Sequence, residues 1–202
     1  MWRDAESLLK KDKYLGMIVV KTGSCRIRKS ERGEYFDDLA ASIIEQQLSG
    51  KAAKAIYERV KRGVVGDLKM LLNPEAILKK SDEELRSFGI SWGKVKYLKD
   101  LSDKVDRGEL NLDSLEKLTD EEIIEELIKV RGIGRWTAEM FLMFTLARPD
   151  IFPVDDLGIQ KGYLKVTGKK FDKVKSARLA DKYWKPYRTV ASWYIWRSLE
   201  GD

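Results

Sequence analysis

"LIKVRGIGRWTAEMFLMF", residues 127–144, decides the fold. An apolar amphipathic run is interrupted by Gly132-Ile133-Gly134, and a second apolar run starts at once at Arg135. Two helices joined so tightly need backbone conformations that a Cβ atom resists, which accounts for Gly132 and Gly134. Ile133 between them can turn back into a core. The helix that restarts at Arg135 presents free N–H groups and the positive end of its dipole at the turn, where a phosphate is readily held. Arg131 and Arg135 add charge there, and Thr137 adds a hydroxyl. Taken alone, a tight connection without a ligand is the simpler reading of such a turn, so its surroundings must decide.

Helical periodicity continues on both sides. "FDDLAASIIEQQLSGKAAKAIYERV" (36–60) sets Leu39, Ile43, Ile44, Leu48 and Ala52 along one helical face. Asn73-Pro74 has the form of a cap followed by proline at the first helical position. Ser81 with Glu84, and Thr119 with Glu122, have capping-box spacing. "WGKVKYLKDLSDKVDRG" (92–108) reads as a helix ending near Gly108. Segments 135–147, 156–164, 173–182 and 187–199 read as helices as well. "GMIVVKT" (16–22) is the best strand candidate and is short, so the expected class is all-α. "SDEELRSFGISWGKVKYL" faintly echoes "TDEEIIEELIKVRGIGRWTAEMFL", each passing from a capping box through a glycine turn into a helix. No linker-like stretch separates domains, so any two lobes are interleaved in sequence.

Composition closes several routes to function. The 202 residues are 43% hydrophobic and 36% charged, enough for one substantial core or two lobes. With no His, imidazole catalysis and His metal sites are excluded. With Cys25 alone, so are a disulfide framework, Cys-ligated zinc and a four-Cys iron–sulfur cluster. No apolar run approaches membrane-spanning length, and the N-terminal "MWRDAESLLKKDKY" lacks the apolar core of a signal peptide. A cytoplasmic protein without membrane partners is expected, in a prokaryote one associated with the nucleoid. The net charge of +6 suits an anionic partner, and it equally suits a Lys-rich solvated surface.

Further motifs extend the reading of the hairpin. "VRGIGRWTA" (130–138) resembles the helix–hairpin–helix of the DNA glycosylase superfamily. "RPDIFPVDDLGIQKG" (148–162) resembles its Gly/Pro-rich segment with an essential Asp. "SIIEQQLSGKAA" (42–53) and "WKPYRTVASWYIW" (184–196) resemble the DNA-wedging stretch and the closing aromatic helix of the alkylation-repair branch. Four motifs in order over residues 36–197 make the chain similar to the 3-methyladenine DNA glycosylases, in the shorter form without an added N-terminal sheet domain.

The resemblance implies a two-lobed α-helical fold with its active site in the cleft between lobes. One lobe would span 36–145; the other would combine 1–35 with 146–202. It implies a monomeric enzyme that excises alkylated purines, 3-methyladenine and 7-methylguanine, from double-stranded damaged DNA. Hypoxanthine or uracil as the lesion, or a non-catalytic DNA-binding role, stand as alternatives. Phosphates would meet the hairpin at Arg131, Gly132, Ile133, Gly134, Arg135 and Thr137. No cofactor is required, though a Na⁺ or K⁺ could be held by the carbonyls of Ile128, Val130 and Ile133. The essential carboxylate matches Asp156, with Asp155 free to cap the following helix. Its task would be to stabilise an oxocarbenium-like sugar and to orient or deprotonate water. Strand-cutting relatives carry a Schiff-base Lys immediately before Thr-Ala after the hairpin. Trp136 occupies that slot here, which implies hydrolysis without strand cleavage. Trp136 and Trp196, with Met140 one turn on, would stack on the flipped base. A cationic alkylated purine would gain from cation–π attraction to the indole. The other four Trp, Trp2, Trp92, Trp184 and Trp193, are expected to be packing. For the wedge, Gln47 is the nearest positional match and Leu48 the next, with Ser49 alongside. Either Gln47 or Leu48 could fill the gap in the stack. Lys51, Lys54, Arg59, Lys61 and Arg62 would track phosphates or simply solvate their helix.

Overall fold

The computed structural model describes residues 1–48 and 50–200. Among them the regular elements are helical: α1 Arg3–Lys10, α2 Gly16–Thr22, α3 Tyr35–Glu45, α4 Gly50–Val65, α5 Pro74–Leu78, α6 Asp82–Ser87, α7 Trp92–Asp106, α8 Asp120–Leu127, α9 Arg135–Phe144, α10 Leu157–Thr167, α11 Lys173–Trp184 and α12 Arg188–Arg197. Short 3₁₀ turns cover Arg32–Glu34 and Leu112–Lys117. None of the described helices is long and apolar enough to cross a membrane.

The chain divides into two compact units, residues 30–141 and residues 1–29 with 142–202. Segment 30–35, which the sequence reading grouped with the termini, is tied to unit 30–141. There Arg32 pairs with Glu116, the Tyr35 hydroxyl donates to Glu116 at 2.6 Å, and the Tyr35 ring meets Phe141 edge-on.

In unit 30–141 the expected caps form. Asn73, Ser81 and Thr119 each accept a backbone N–H three residues on, and Glu84 and Glu122 close their capping boxes. The long helix expected over 36–60 is two helices, because the chain leaves α3 at Gln46 and Gln47 takes a left-handed conformation. The apolar face therefore changes register, and Ala53 is buried while Ala52 is exposed. Lys61, expected on the solvated face, is buried against Asp37. The same carboxylate accepts from the Tyr57 hydroxyl at 2.5 Å and from the Leu72 amide at 2.9 Å, pinning α3, α4 and the loop before α5 together. A buried charge so paired and hydrogen-bonded avoids the cost of isolation. Helix α7 packs on α3, α5 and α6. Its Lys99 donates to the carbonyls of Ile77, Leu78 and Lys80, satisfying the C-terminus of α5. Trp92, expected to be packing, is 50% exposed as the first residue of α7 after its Ser91 cap.

In the other unit, "GMIVVKT" is helix α2. Its start is closed by the Gly16 amide donating to Asp12, and it ends at Gly23 with φ 78°. Helix α12 is buried on nearly all sides from Thr189 to Ile195, which places it at the centre of this unit. Trp184 packs with Phe152 and Tyr163 beside it. The two ends of the chain are joined here, since Tyr194 donates its hydroxyl to the Gly23 carbonyl.

Candidate active site

The hairpin between α8 and α9 lies within unit 30–141. Gly132 has φ +83°, and a Cβ there would fall 2.2 Å from the Tyr97 ring, so both conformation and space demand glycine. Gly134 differs from expectation: its φ is not left-handed, and a Cβ would meet nothing within 4 Å. Its hydrogen leaves room on the outer side of the turn. The Arg131 amide donates to Asp100 at 2.8 Å and the Ile133 amide to Val130 at 3.1 Å. With these two amides committed, those of Gly132, Gly134 and the exposed start of α9 at Arg135 and Trp136 form the stretch with donors for an anion. The Ile133 side chain is buried, as a plug into the core. The carbonyls named for a cation lie in this turn. That of Val130 accepts one hydrogen bond from Ile133, and a carbonyl oxygen has a second lone pair.

The charges expected beside the hairpin are partly spent. Arg135 makes a bidentate pair with Glu121 at 2.7 Å and a longer contact with Glu139 at 3.4 Å. The Glu121 bond raises the Arg135 pKa further and lowers that of Glu121. Thr137 is 5% exposed, so its hydroxyl sits inside rather than outward.

The turn after α3 is built by side chains from distant segments. Lys94 of α7 donates to the carbonyls of Ile44 and Gln46, both at 2.7 Å, and burial pushes its pKa down. The Gln46 amide donates to the Gly132 carbonyl at 2.9 Å, linking this turn to the hairpin. Gln47 then stands exposed with φ +58°, a left-handed conformation uncommon outside glycine. Leu48 is half-buried. Ser49 lies outside the described residues.

Between the turn and α9 is a cavity of about 310 Å³, lined by Ser42, Glu45, Gln46, Gln47, Leu48, Trp136, Thr137 and Met140. Trp136 is 43% exposed and lines this cavity. Trp136, Met140 and Thr137 come together with both wedge candidates. Ser42, Glu45 and Gln46 were missed from the sequence. Their signal was a polar i, i+3, i+4 edge at the end of an otherwise apolar helix.

Asp156 belongs to the other unit, and the segment leading to it is anchored. Arg188 holds Asp150 by two bonds of 2.7 and 2.9 Å, and Thr189 Oγ1 accepts from the Ile151 amide while donating to the Arg148 carbonyl. Asp156 itself is the N-cap of α10, its Oδ1 accepting from the Ile159 amide at 2.7 Å and from Trp196 Nε1 at 2.8 Å. Asp155, expected to be the cap, is exposed and pairs with Lys173. Trp196, expected to stack on a base, is the residue that donates to Asp156, and its ring lies against Phe144 at 5.7 Å. Gly158 makes this possible, since a Cβ there would come within 2.8 Å of the indole. One turn on, Gly162 lets α10 lie directly against Ile195 of α12. A half-buried carboxylate fixed by an indole N–H and a helix N-terminus is held in one orientation, as stabilising a developing positive charge requires.

Comparison with known proteins agrees with this geometry. The family model described as "HhH-GPD superfamily base excision DNA repair protein" matches residues 40–186. The DNA-3-methyladenine glycosylase 1 of Schizosaccharomyces pombe is 35% identical over 186 residues, covering 90% of this chain and 80% of that one. The solved structure of the S. pombe 3-methyladenine DNA glycosylase in complex with abasic DNA superposes with a TM-score of 0.86 at 33% identity, covering 98% of this chain and 97% of that one. A DNA-3-methyladenine glycosidase from Bacillus halodurans gives 0.83 at 37% identity, over 98% and 89% of the two chains. The chain belongs to the HhH-GPD superfamily of base excision DNA repair proteins.

Proposed function

We propose that this protein is a monofunctional DNA glycosylase that excises alkylated purines, 3-methyladenine and 7-methylguanine, from duplex DNA by hydrolysis, acting as a monomer. The carrying observation is Asp156, held by Ile159 N–H and Trp196 Nε1–H in the motif position of the family's carboxylate. As the glycosidic bond breaks, its electron pair leaves with the base and the sugar becomes cationic. Asp156 stabilises that cation and accepts a proton from the water that attacks the anomeric carbon. With Trp136 in the slot of the Schiff-base Lys, no amine is supplied there for covalent attack, and the product is an abasic site in an intact strand. The cavity beside Trp136 and Met140 takes the flipped base. Gln47, exposed and left-handed, fills the vacated place in the stack. Gly134 and the first turn of α9 receive the phosphates. A monovalent cation held by Ile128, Val130 and Ile133 would add positive charge for the same phosphates.

The test is single-turnover release of methylated purines from duplex DNA by the wild type and Asp156→Asn. Release with intact strands, lost in the variant while DNA binding persists, is the expected outcome. Equal release by both proteins would remove Asp156 from the reaction.

A further inference from the structure

The wall of the Trp136 cavity contains one charged side chain, Glu45. It makes no hydrogen bond or ion pair among the described residues. Lys94, whose ammonium group binds the carbonyls on either side of residue 45, does not pair with it. A negative charge on a surface that meets a polyanion opposes binding, because phosphate contact rewards positive charge. Glu45 is exposed, so water solvates its carboxylate in the free protein; once DNA covers this surface, a positive group on the ligand is the match for it. Purines alkylated at a ring nitrogen supply one, and the same charge is attracted by the face of Trp136 on the cavity wall.

We propose that Glu45 selects substrate charge: with the Trp136 indole in one cavity, its carboxylate favours flipped purines made cationic by alkylation over neutral damaged bases. This rests on the reading of the cavity as the base site. The attraction acts on the flipped base before the bond breaks, since the electron pair of the departing bond neutralises the ring. Glu45 is thus a specificity residue rather than a catalyst. Partial desolvation also pushes the carboxyl of the exposed Glu45 above its ordinary pKa.

The experiment measures single-turnover excision efficiency, the rate constant over the half-saturating enzyme concentration, for duplexes with 7-methylguanine (cationic) or hypoxanthine (neutral). Wild type, Glu45→Gln, Glu45→Lys and Trp136→Ala are compared, together with their affinity for undamaged duplex. For 7-methylguanine, efficiency should fall in the order Glu, Gln, Lys, by about tenfold at the first step. Affinity for undamaged duplex should rise in the same order, a divergence that misfolding cannot produce. Any release of hypoxanthine should be unchanged or faster. Efficiency on 7-methylguanine that stays level or rises in Glu45→Gln overturns the proposal. If Trp136→Ala meanwhile loses activity, the base cavity survives and charge selection alone falls. If Trp136→Ala is as active as wild type, the cavity is not the base site and both readings fall.

Discussion

Asp156 has two tasks that substitution can separate. As N-cap it accepts the Ile159 amide, and Asn caps about as well as Asp, so Asp156→Asn should melt close to wild type. Asp156→Ala loses the cap as well, about 1 kcal/mol, readable by urea unfolding. Both should lose excision by at least roughly a hundredfold, because neither carries the negative charge the sugar cation needs. Trp196→Phe keeps an aromatic ring to pack on Phe144 but removes the N–H that orients the carboxylate. Excision should fall about tenfold, in line with one lost hydrogen bond to a charged group. A variant with wild-type excision would make the bond incidental. The Asp-Asp pair was legible in the sequence, but the division of labour within it was not. Which carboxylate reaches the helix depends on the extended backbone at Asp156, with ψ 124°, and on Lys173 drawing Asp155 away. The bond from Trp196 spans 40 residues and has no local signature.

At the scale of elements, legibility followed the range of the forces. The capping boxes at Ser81 and Thr119 were readable because donor and acceptor lie three residues apart. The turn that ends α3 was not, because its causes, Lys94 and the Gly132 carbonyl, lie about 50 and 86 residues away from their partners in the turn. "GMIVVKT" misled as a strand candidate because β-branched content is only a weak preference, overridden by the closure at Asp12 and the exit at Gly23. Helix α7 emerges as the strut of this region: Lys94 holds the turn after α3, Tyr97 fills the space under Gly132, and Asp100 binds the Arg131 amide. These residues recur every three positions and share one face. The two hairpin glycines should therefore respond differently to alanine. Gly132→Ala meets the Tyr97 ring in a left-handed conformation and should destabilise by roughly 1–3 kcal/mol in chemical denaturation. Gly134→Ala has room and an ordinary φ, so its stability should be near wild type while its affinity for duplex DNA drops. Equal melting losses in both would contradict the separation of structural from binding glycine.

For the whole molecule, the all-α class was legible because apolar periodicity runs through nearly every segment, and the absence of His has a consequence for the entire fold. No side chain has an ordinary pKa between the carboxylates and the thiol, so stability should be nearly flat from about pH 6 to pH 8.5. Above that the sign is set by Cys25. Burial raises its pKa from an ordinary 9.0 to about 11. Between those values the native state keeps a proton that the unfolded chain releases, so stability falls as pH rises and the Cys25 part is complete beyond about 11. Tyr57 and Tyr194 are raised above 10.0, chiefly by burial, and continue the loss from their ordinary value upward. Lys94 opposes it, because burial lowers its pKa and the native state binds its proton less tightly. Melting temperature against pH should thus show a neutral plateau and an alkaline decline starting near 9. In Cys25→Ala the decline should start nearer 10, since the thiol no longer contributes. A decline with the same onset in both proteins would mean that Cys25 ionises as easily in the fold as outside it.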